Sequence, residues 1–306
     1  MTLESKQAIQ KKSSSTHRHF NQRQLAGLWF ILPAALSLLV IVAYPLLYGF
    51  YISLFRTNLL TRWDFRWFQN YVRIFTSADF LQTVFTTLKF TVGAVAGQFV
   101  VGLSLALLLN TKVPGRALFR TVLLVPWLFP EVVVALLWKW MYNPLYGLFN
   151  DILLTLNVIS EPTSWLGSTT TALPSVILTV IWKGYPLVML LMLAGLQAIS
   201  QEQYESAEID GASWWQSFVY ITQPNLRKVI MFNLKLNNVW WFKNFGIVLV
   251  LTQGGPINAT SVISIDIYKT AFEAFRFGRA AALAVIVFFI VFLISVLYQR
   301  FLGGDD

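Results

Sequence analysis

Amide and indole side chains share one face of a mostly apolar stretch late in the chain. Asn237, Trp241 and Asn244 follow the spacing i, i+4, i+7, which places them on one side of a helix, and Trp240 lies beside them. Amides exchange hydrogen bonds with hydroxyl groups, and indole faces cover the apolar side of a sugar ring. The stripe therefore indicates a site for a polyhydroxylated ligand. The same amides could instead join neighbouring helices through hydrogen bonds.

Two ionisable residues fall within other apolar stretches. Glu131 is the one acid inside a predicted span, and Lys183 is the most deeply placed cation. Because a charge inside a bilayer is costly, such residues usually face a cavity or a partner. Two interpretations stay open: Glu131 and Lys183 neutralise each other, or Lys183 and the nearby Lys243 bind an anionic group of a ligand.

The chain lacks the groups that most catalytic and metal sites need. There is no cysteine, and the only histidines, His17 and His19, lie in a polar amino-terminal segment. No Gly-x-x-x-x-Gly-Lys-Ser/Thr sequence is present, so we expect no phosphate-binding loop on this chain. These absences argue against an intramembrane enzyme. A single membrane acid and no evident internal repeat also argue against an ion-coupled secondary transporter.

The elements that must position these residues are helices that cross a membrane. The sequence is 56% hydrophobic and 12% charged, whereas soluble domains carry about 25% charged residues. Apolar runs of about 20 residues recur, which is the length of a helical span, and a helix supplies its own backbone hydrogen bonds. Six spans are predicted: Leu25 to Tyr48, Thr83 to Leu109, Thr121 to Met141, Leu173 to Leu196, Val229 to Leu251 and Ala280 to Tyr298.

The polar segments indicate domain organisation and orientation. Residues 1–24 are rich in Ser, Gln and Lys and are expected to form a flexible cytoplasmic tail, and residues 25–302 form one transmembrane domain. With the amino terminus inside, inner segments hold eleven Lys and Arg residues and outer segments seven. Both termini are therefore expected in the cytoplasm. The net charge of +9 lies mainly at span ends, so we expect no nucleic-acid groove.

The loop between the fourth and fifth spans has a helical pattern of its own. Ser200 with Gln203, and Ser213 with Gln216, have the spacing of a capping box. Gly211 lies between them and is predicted to adopt the left-handed conformation that ends a helix. Two short helices joined at a glycine are therefore expected. Read from the residues alone, this is an ordinary interfacial helix pair.

This loop, residues 200–224, resembles the "EAA" loop of ABC importer permeases. Glu205-Ser206-Ala207, Asp210-Gly211-Ala212 and Ile221-Thr222-Gln223-Pro224 stand in the register of that motif. Ser replaces the middle alanine, and Gln replaces the leucine before the proline. The proline is expected to stop the second helix and to start the next span.

The resemblance extends over about Leu25 to Arg300. The stretches Val125 to Pro130, Trp182 to Pro186 and Phe242 to Phe245 are similar to spans of maltose-type and glycerol-phosphate-type permeases. By that resemblance, the substrate path is lined by Trp127, Glu131, Lys183, Gly184, Asn237, Trp240, Trp241 and Asn244.

The resemblance implies a type I ABC importer permease fold, an all-α integral membrane protein with about six transmembrane helices. Its cytoplasmic coupling helix would contact an ATPase through Glu205, Ala207, Asp210, Gly211 and Ala212. The partners implied are a second homologous permease subunit, two ATPase subunits that hold ATP and Mg²⁺, and an extracytoplasmic solute-binding protein. This chain is expected to hold no cofactor and to lie in a bacterial inner or plasma membrane. The expected substrate is a carbohydrate: a neutral or anionic oligosaccharide, or a polyol or glycerol phosphate.

Overall fold

The fold is helical, as the sequence predicts. A computed structural model describes residues 22–111 and 114–302. Nearly all of the expected tail, residues 1–24, lies outside the described residues. The only strands in the described ranges form a short antiparallel hairpin, in which Phe55 pairs with Phe65. The expected all-α class is confirmed.

The helices and strands have the following bounds: α1 Gln22–Leu38, α2 Tyr44–Ser53, β1 Phe55–Thr57, β2 Trp63–Phe65, α3 Gln69–Phe75, α4 Ala78–Asn110, α5 Arg116–Leu128, α6 Glu131–Met141, α7 Leu148–Thr155, α8 Ala172–Gln197, α9 Gln201–Ile209, α10 Trp214–Ser217, α11 Gln223–Phe242, α12 Gly246–Leu251, α13 Ile263–Tyr268 and α14 Phe277–Leu302. Three π-helical stretches connect neighbouring helices: Leu39–Ala43, Phe218–Thr222 and Lys269–Glu273.

Four described helical segments are long and apolar enough to cross a membrane: Phe30–Ser53, Ala78–Asn110, Ala172–Gln197 and Phe277–Arg300. The pair α5 and α6 makes a fifth if it counts as one bent span. The first segment comprises α1, the π stretch Leu39–Ala43 and α2, and its most apolar part has no buried residues. A helix that is apolar on all sides and exposed in the isolated chain is suited to contact with lipid or with another membrane subunit.

The two longest buried spans, α4 and α8, pack side by side and run in the same direction. Gly93 faces Ile177, and Gly102, nine residues further along α4, faces Val188. Glycines allow close approach of the two backbones, as small residues commonly do between membrane helices. Because α4 and α8 are parallel, the amino-terminal ends of both helices lie at one end of the bundle. The loop after α8 lies at the other end.

The expected third span, Thr121 to Met141, is not one helix. It consists of α5 and α6, whose axes meet at 95°. The break lies at Phe129, whose ψ of 141° is extended, and at Pro130, which precedes α6. Because proline cannot donate a backbone hydrogen bond and disfavours a helical conformation in the residue before it, the sequence Phe129-Pro130 ends the first helix.

The expected fifth span, Val229 to Leu251, is also broken. α11 ends at Phe242, and α12 begins at Gly246. The connecting residues Lys243 and Asn244 leave the helical conformation. Because α11 carries many polar side chains, it is not among the helices apolar enough to cross a membrane. Both interruptions occur where the sequence places its candidate ligand-binding residues.

Replacing Gly102 by valine should lower the stability of the helix pair. A Cβ at this position would lie 2.7 Å from Cβ of Val188 and 3.0 Å from the backbone nitrogen of Met189, so α4 and α8 would have to move apart. Such overpacking costs about 1–3 kcal/mol. The matched control is Gly49→Val in α2, where no neighbouring atom lies within 4 Å. Equal unfolding temperatures of the two variants in detergent would contradict the close packing.

Candidate functional site

A cavity of about 330 Å³ lies where α5 and α6 meet, with α8 and α11 forming its other walls. Seven of the eight residues predicted to line a substrate path surround it: Trp127, Glu131, Lys183, Gly184, Asn237, Trp240 and Trp241. Phe129, Pro130 and Leu187 complete the lining and were not predicted. Asn244, the eighth predicted residue, does not line the cavity but donates a hydrogen bond to Glu131, which does. Residues more than 100 positions apart in the chain therefore meet at the helix break.

Lys183 stabilises the break between α5 and α6 through hydrogen bonds. Its Nζ donates hydrogen bonds to the carbonyl oxygens of Trp127 and Phe129, both at 2.6 Å, and of Pro126 at 3.2 Å. The last carbonyls of a helix have no partners within the helix, and they carry the negative end of its dipole. An ammonium group has three hydrogens, and all three are used here. Lys183 thus stabilises the carboxyl-terminal end of α5.

These hydrogen bonds bear on both interpretations of Lys183, neutralisation by Glu131 and binding of an anionic group of a ligand. Within the described residues the only ion pair joins Arg62 and Asp64, so Lys183 and Glu131 do not form one. The ammonium hydrogens of Lys183 are also committed to carbonyls rather than directed at a ligand. Lys243, proposed as its companion, is exposed in the α11–α12 connection and does not line this cavity.

Glu131 is the first residue of α6, where the helix dipole favours a negative charge. Its two carboxylate oxygens accept hydrogen bonds from Nδ2 of Asn244 at 3.3 and 3.4 Å. Gly246 permits this approach, because a Cβ there would lie 2.7 Å from Oε2 of Glu131. Asn244, in the break after α11, therefore holds Glu131 in position. The break before α6 places Glu131 at the cavity.

Gln98 organises the inner wall, and sequence analysis missed it. This fully buried amide on α4 donates from Nε2 to the carbonyl oxygen of Val180 at 2.9 Å and accepts from Nε1 of Trp241 at 2.8 Å. Gly184 makes room for it, since a Cβ there would lie 2.4 Å from the amide. A lone glutamine within the apolar stretch Thr83 to Leu109 was the available signal.

Within the amide stripe, Asn237 bonds along its own helix, whereas Trp241 and Asn244 bond to Gln98 on α4 and to Glu131 on α6. Nδ2 of Asn237 donates to the backbone oxygen and to Oδ1 of Asn233, at 3.0 and 2.9 Å, and Oδ1 of Asn237 accepts from Trp241 at 3.3 Å. Trp241 is 5% exposed, whereas Trp240 is 50% exposed. A hydrogen bond between helices therefore explains the role of Trp241, which donates to Gln98 on α4. The indole face of Trp240 remains available to a ligand.

The loop after α8 contains the predicted helix pair. Gly211 has φ +78°, and the backbone N–H of Ala212 donates to the carbonyl oxygen of Ala207 at 2.8 Å, which is the bond of a Schellman helix end. The capping box of Ser213 and Gln216 is confirmed. The α9 helix has no buried residue, so Glu205 and Asp210 face outward in the isolated chain.

Two local predictions for this loop are wrong. Ser200 makes no side-chain capping bond: the backbone N–H of Gln203 donates to the Ser200 carbonyl oxygen at 3.3 Å, and the Gln203 side chain accepts a hydrogen bond from Asn225. Pro224 does not stop the second helix. The chain passes from α10 through the π stretch Phe218–Thr222 directly into α11, and Pro224 sits in the first turn of α11. A first-turn proline lacks only a backbone donor that the helix can spare, and the wider π turn accommodates its ring.

The fold and the cavity together define a helical membrane protein with a polar and aromatic chamber at a broken span. Residues 80–302 match the family described as binding-protein-dependent transport system inner membrane component. The trehalose/maltose transport system permease protein MalF of Thermococcus litoralis is 37% identical over 275 residues, which cover 90% of this chain and 92% of that protein. The sulfoquinovosyl glycerol transport system permease protein SmoG of Agrobacterium fabrum is 32% identical and covers 92% of both chains.

Solved structures agree at the level of the fold. A chain of a bacterial alginate ABC transporter, crystallised with an alginate pentasaccharide-bound periplasmic protein, superposes with a TM-score of 0.77 at 22% identity, covering 91% of this chain and 94% of that chain. The chain belongs to the binding-protein-dependent transport system inner membrane component family. It is a multi-pass membrane permease of the ABC transporter class, a transport subunit rather than an enzyme, and the resemblance seen in the sequence is confirmed.

Replacing Lys183 by methionine should destabilise the bent span. The change removes the cation from three carbonyl oxygens at the end of α5. Leaving buried acceptors unsatisfied costs about 1–3 kcal/mol. The matched control is Lys243→Met, which removes an exposed lysine. A thermal unfolding midpoint of the purified Lys183→Met protein as high as that of the control would refute the capping role.

Proposed function

We propose that this chain is a permease subunit of an ATP-driven importer and carries a neutral carbohydrate through the cavity at the α5–α6 break. The single observation that supports this most is the composition of the cavity wall. It combines the exposed indoles of Trp240 and Trp127 and the carboxylate of Glu131 in about 330 Å³. Ligand pockets of a few hundred cubic ångströms, mostly apolar with a few polar groups, are typical for small molecules.

The chemistry of the wall favours a sugar without a negative charge. Indole faces cover the C–H faces of a sugar ring, and the carboxylate of Glu131 accepts hydrogen bonds from hydroxyl groups. An anionic substrate would meet the negative charge of Glu131, while the hydrogens of Lys183 are bonded to carbonyls. We therefore propose a neutral oligosaccharide or polyol. Two relatives with 37% and 32% identity are named for trehalose/maltose transport and for sulfoquinovosyl glycerol transport, which supports the carbohydrate class.

The loop with α9 and Gly211 is proposed to dock on a cytoplasmic ATPase. Its exposed surface offers the acidic side chains of Glu205 and Asp210, and the intermediate exposure of Ala207 and Ala212 leaves room for close approach. This chain has no phosphate-binding motif, so ATP and Mg²⁺ would be held by the partner ATPase. By this docking, the loop end of the bundle would be cytoplasmic. The excess of Lys and Arg in the segments expected inside supports a cytoplasmic location for both termini.

The remaining partners follow from the same proposal. A second, homologous permease subunit would complete the path, two ATPase subunits would drive it, and an extracytoplasmic solute-binding protein would deliver the sugar. ATP binding would draw the two docking loops together and open the cavity towards that protein. Release of the nucleotide products would return the cavity to the cytoplasmic side. The substrate then experiences alternating access without a continuous pore.

Replacing Trp240 by alanine should reduce uptake of neutral oligosaccharides about tenfold in kcat/KM, because the variant loses aromatic stacking on the sugar ring. Uptake is measured in liposomes that contain the complete transporter and its binding protein, with ATP inside. Trp140→Ala is the matched control, since Trp140 is similarly exposed but does not line the cavity. Equal loss in both variants would speak against the sugar site, and preferred uptake of an anionic sugar would refute the proposed charge selectivity.

Replacing Gly211 by alanine should weaken the coupling of ATP hydrolysis to transport. A residue with a side chain is strained at φ +78°, so the turn between the two loop helices would be distorted. Gly115→Ala is the matched control, because Gly115 has a similar φ of +76° but precedes α5, outside this loop. Stimulation of the ATPase by the loaded binding protein should fall only in Gly211→Ala. Full stimulation in both variants would contradict docking through this loop.

A further inference from the structure

A second polar cavity, of about 550 Å³, lies at the end of the bundle opposite the docking loop. The hairpin β1–β2, helix α3 and the beginning of α14 form its walls. Helix α3 leads directly into the amino-terminal end of α4, whereas the docking loop follows the carboxyl-terminal end of the parallel helix α8. This cavity is therefore separate from the sugar site at the α5–α6 break.

The walls of this cavity are strongly basic. Among the residues that the structure describes, no acidic one lines this cavity, whereas five arginines do: Arg56, Arg62, Arg73, Arg276 and Arg279. Arg62 is neutralised by Asp64, with Nε and Oδ2 2.9 Å apart. This bond, together with the charge of the neighbouring arginines, holds the pKa of the Asp64 carboxyl below its usual value. The other four guanidinium groups form no ion pair with any described residue.

Arg279 has an unsatisfied donor in this wall. Its Nε is buried and has no hydrogen-bond partner among the described residues. Asp266 is close enough to interact with its charge, but that carboxylate accepts a hydrogen bond from Thr270 at 3.3 Å and does not pair with the arginine. Because an unpaired buried donor costs free energy, the position is suited to an external acceptor.

An apolar groove of about 670 Å³ shares two of the same elements. On α3, Asn70 and Arg73 line the basic cavity, whereas Tyr71 and Phe75 line the groove. On α14, Arg279 lines the cavity, and Ile286, seven residues later, lines the groove with Phe289, Ile290 and Leu293. Seven residues are two turns of helix, so the groove begins about 10 Å further along the same face.

Exposed aromatic side chains mark the level of the cavity in the membrane. Trp63, Phe65 and Trp67 on and beside the hairpin are exposed, and neighbouring rings of this group pack against one another, with Phe65 and Trp67 centroids 4.9 Å apart. Such aromatic belts lie at the depth of lipid headgroups. The basic cavity is thus at headgroup level, and the apolar groove extends towards the hydrocarbon.

We propose that this region binds one anionic phospholipid, with the phosphodiester in the arginine cavity and an acyl chain in the apolar groove. Arginine forks bind phosphate oxygens through paired N–H donors, and basic pockets between membrane helices are suited to anionic headgroups. Because the groove can hold an acyl chain, the site is expected to bind a lipid more tightly than a free anion. The bound lipid ties the hairpin and α3 to α14 at the outer end of the bundle.

The test counts lipids retained by the complete transporter. The purified complex is equilibrated in detergent with phosphatidylglycerol or with phosphatidylcholine of the same acyl chains, and bound lipid is counted by native mass spectrometry. Wild type should retain one phosphatidylglycerol and no specific phosphatidylcholine. Affinity should fall roughly fivefold for each arginine removed, in Arg276→Gln and in Arg276→Gln/Arg279→Gln. The matched control is Arg66→Gln, an exposed arginine just after the hairpin that does not line the cavity.

Further arms separate the lipid from other anions. Leu81→Trp fills the groove from an exposed position and should abolish retention although every arginine is intact. Inorganic phosphate in excess should not displace the lipid, and displacement would show an anion site without a tail site. Equal retention of both lipids, or unchanged retention in the arginine variants, would overturn the proposal. Weaker binding of the solute-binding protein with unchanged lipid would instead assign the arginines to an acidic protein surface.

Discussion

The central constraint on this molecule is that a helix broken inside a membrane leaves backbone carbonyls with no water to satisfy them. The chain breaks a span at Phe129 and Pro130 and supplies the missing donors from a different helix, through the ammonium group of Lys183. The bend allows α6 to begin beside the α11–α12 connection, where Asn244 bonds to Glu131, so that Glu131 reaches the cavity at a helix amino terminus. Without the Lys183 ammonium group, the end of α5 that forms one wall of the cavity would keep unsatisfied carbonyl oxygens.

The cavity therefore contains two kinds of polar group. Gln98, Trp241 and Asn237 are bonded to one another and hold three helices in a fixed relation. Trp127, Trp240 and Glu131 line the cavity outside this network. Asn237 and Trp241 line it as well, so a ligand meets aromatic faces, the Glu131 carboxylate and groups whose hydrogen bonds are already made. This division explains why a stripe of amides on one helix does not itself describe the binding surface.

Much of this arrangement could be predicted from the sequence, and the failures have physical causes. Apolar length predicted the long helices. The resemblance to maltose-type permeases predicted most of the cavity lining, whereas helical spacing alone contributed Asn237 and Trp241. The bend at Pro130 was missed because apolar composition alone does not distinguish a straight span from two short helices. Neither interpretation of Lys183 included its bonds to the end of α5, because sequence shows which charges exist but not which carbonyls lie nearby. Gln98 was missed because a single amide in an apolar span carries no pattern until its partners, 82 and 143 residues away in the chain, are located.

The uninterrupted path from α10 through the π stretch into α11 has a mechanical consequence. From Trp214 to Phe242 the backbone is continuously helical over roughly 40 Å; it begins just after the proposed docking turn at Gly211 and carries Trp240 near its end. A continuous helix transmits axial rotation as well as displacement, so a small twist applied at its beginning would move the Trp240 indole within the chamber. The five π-helical residues Phe218–Thr222 are the place where such a helix can gain or lose a fraction of a turn.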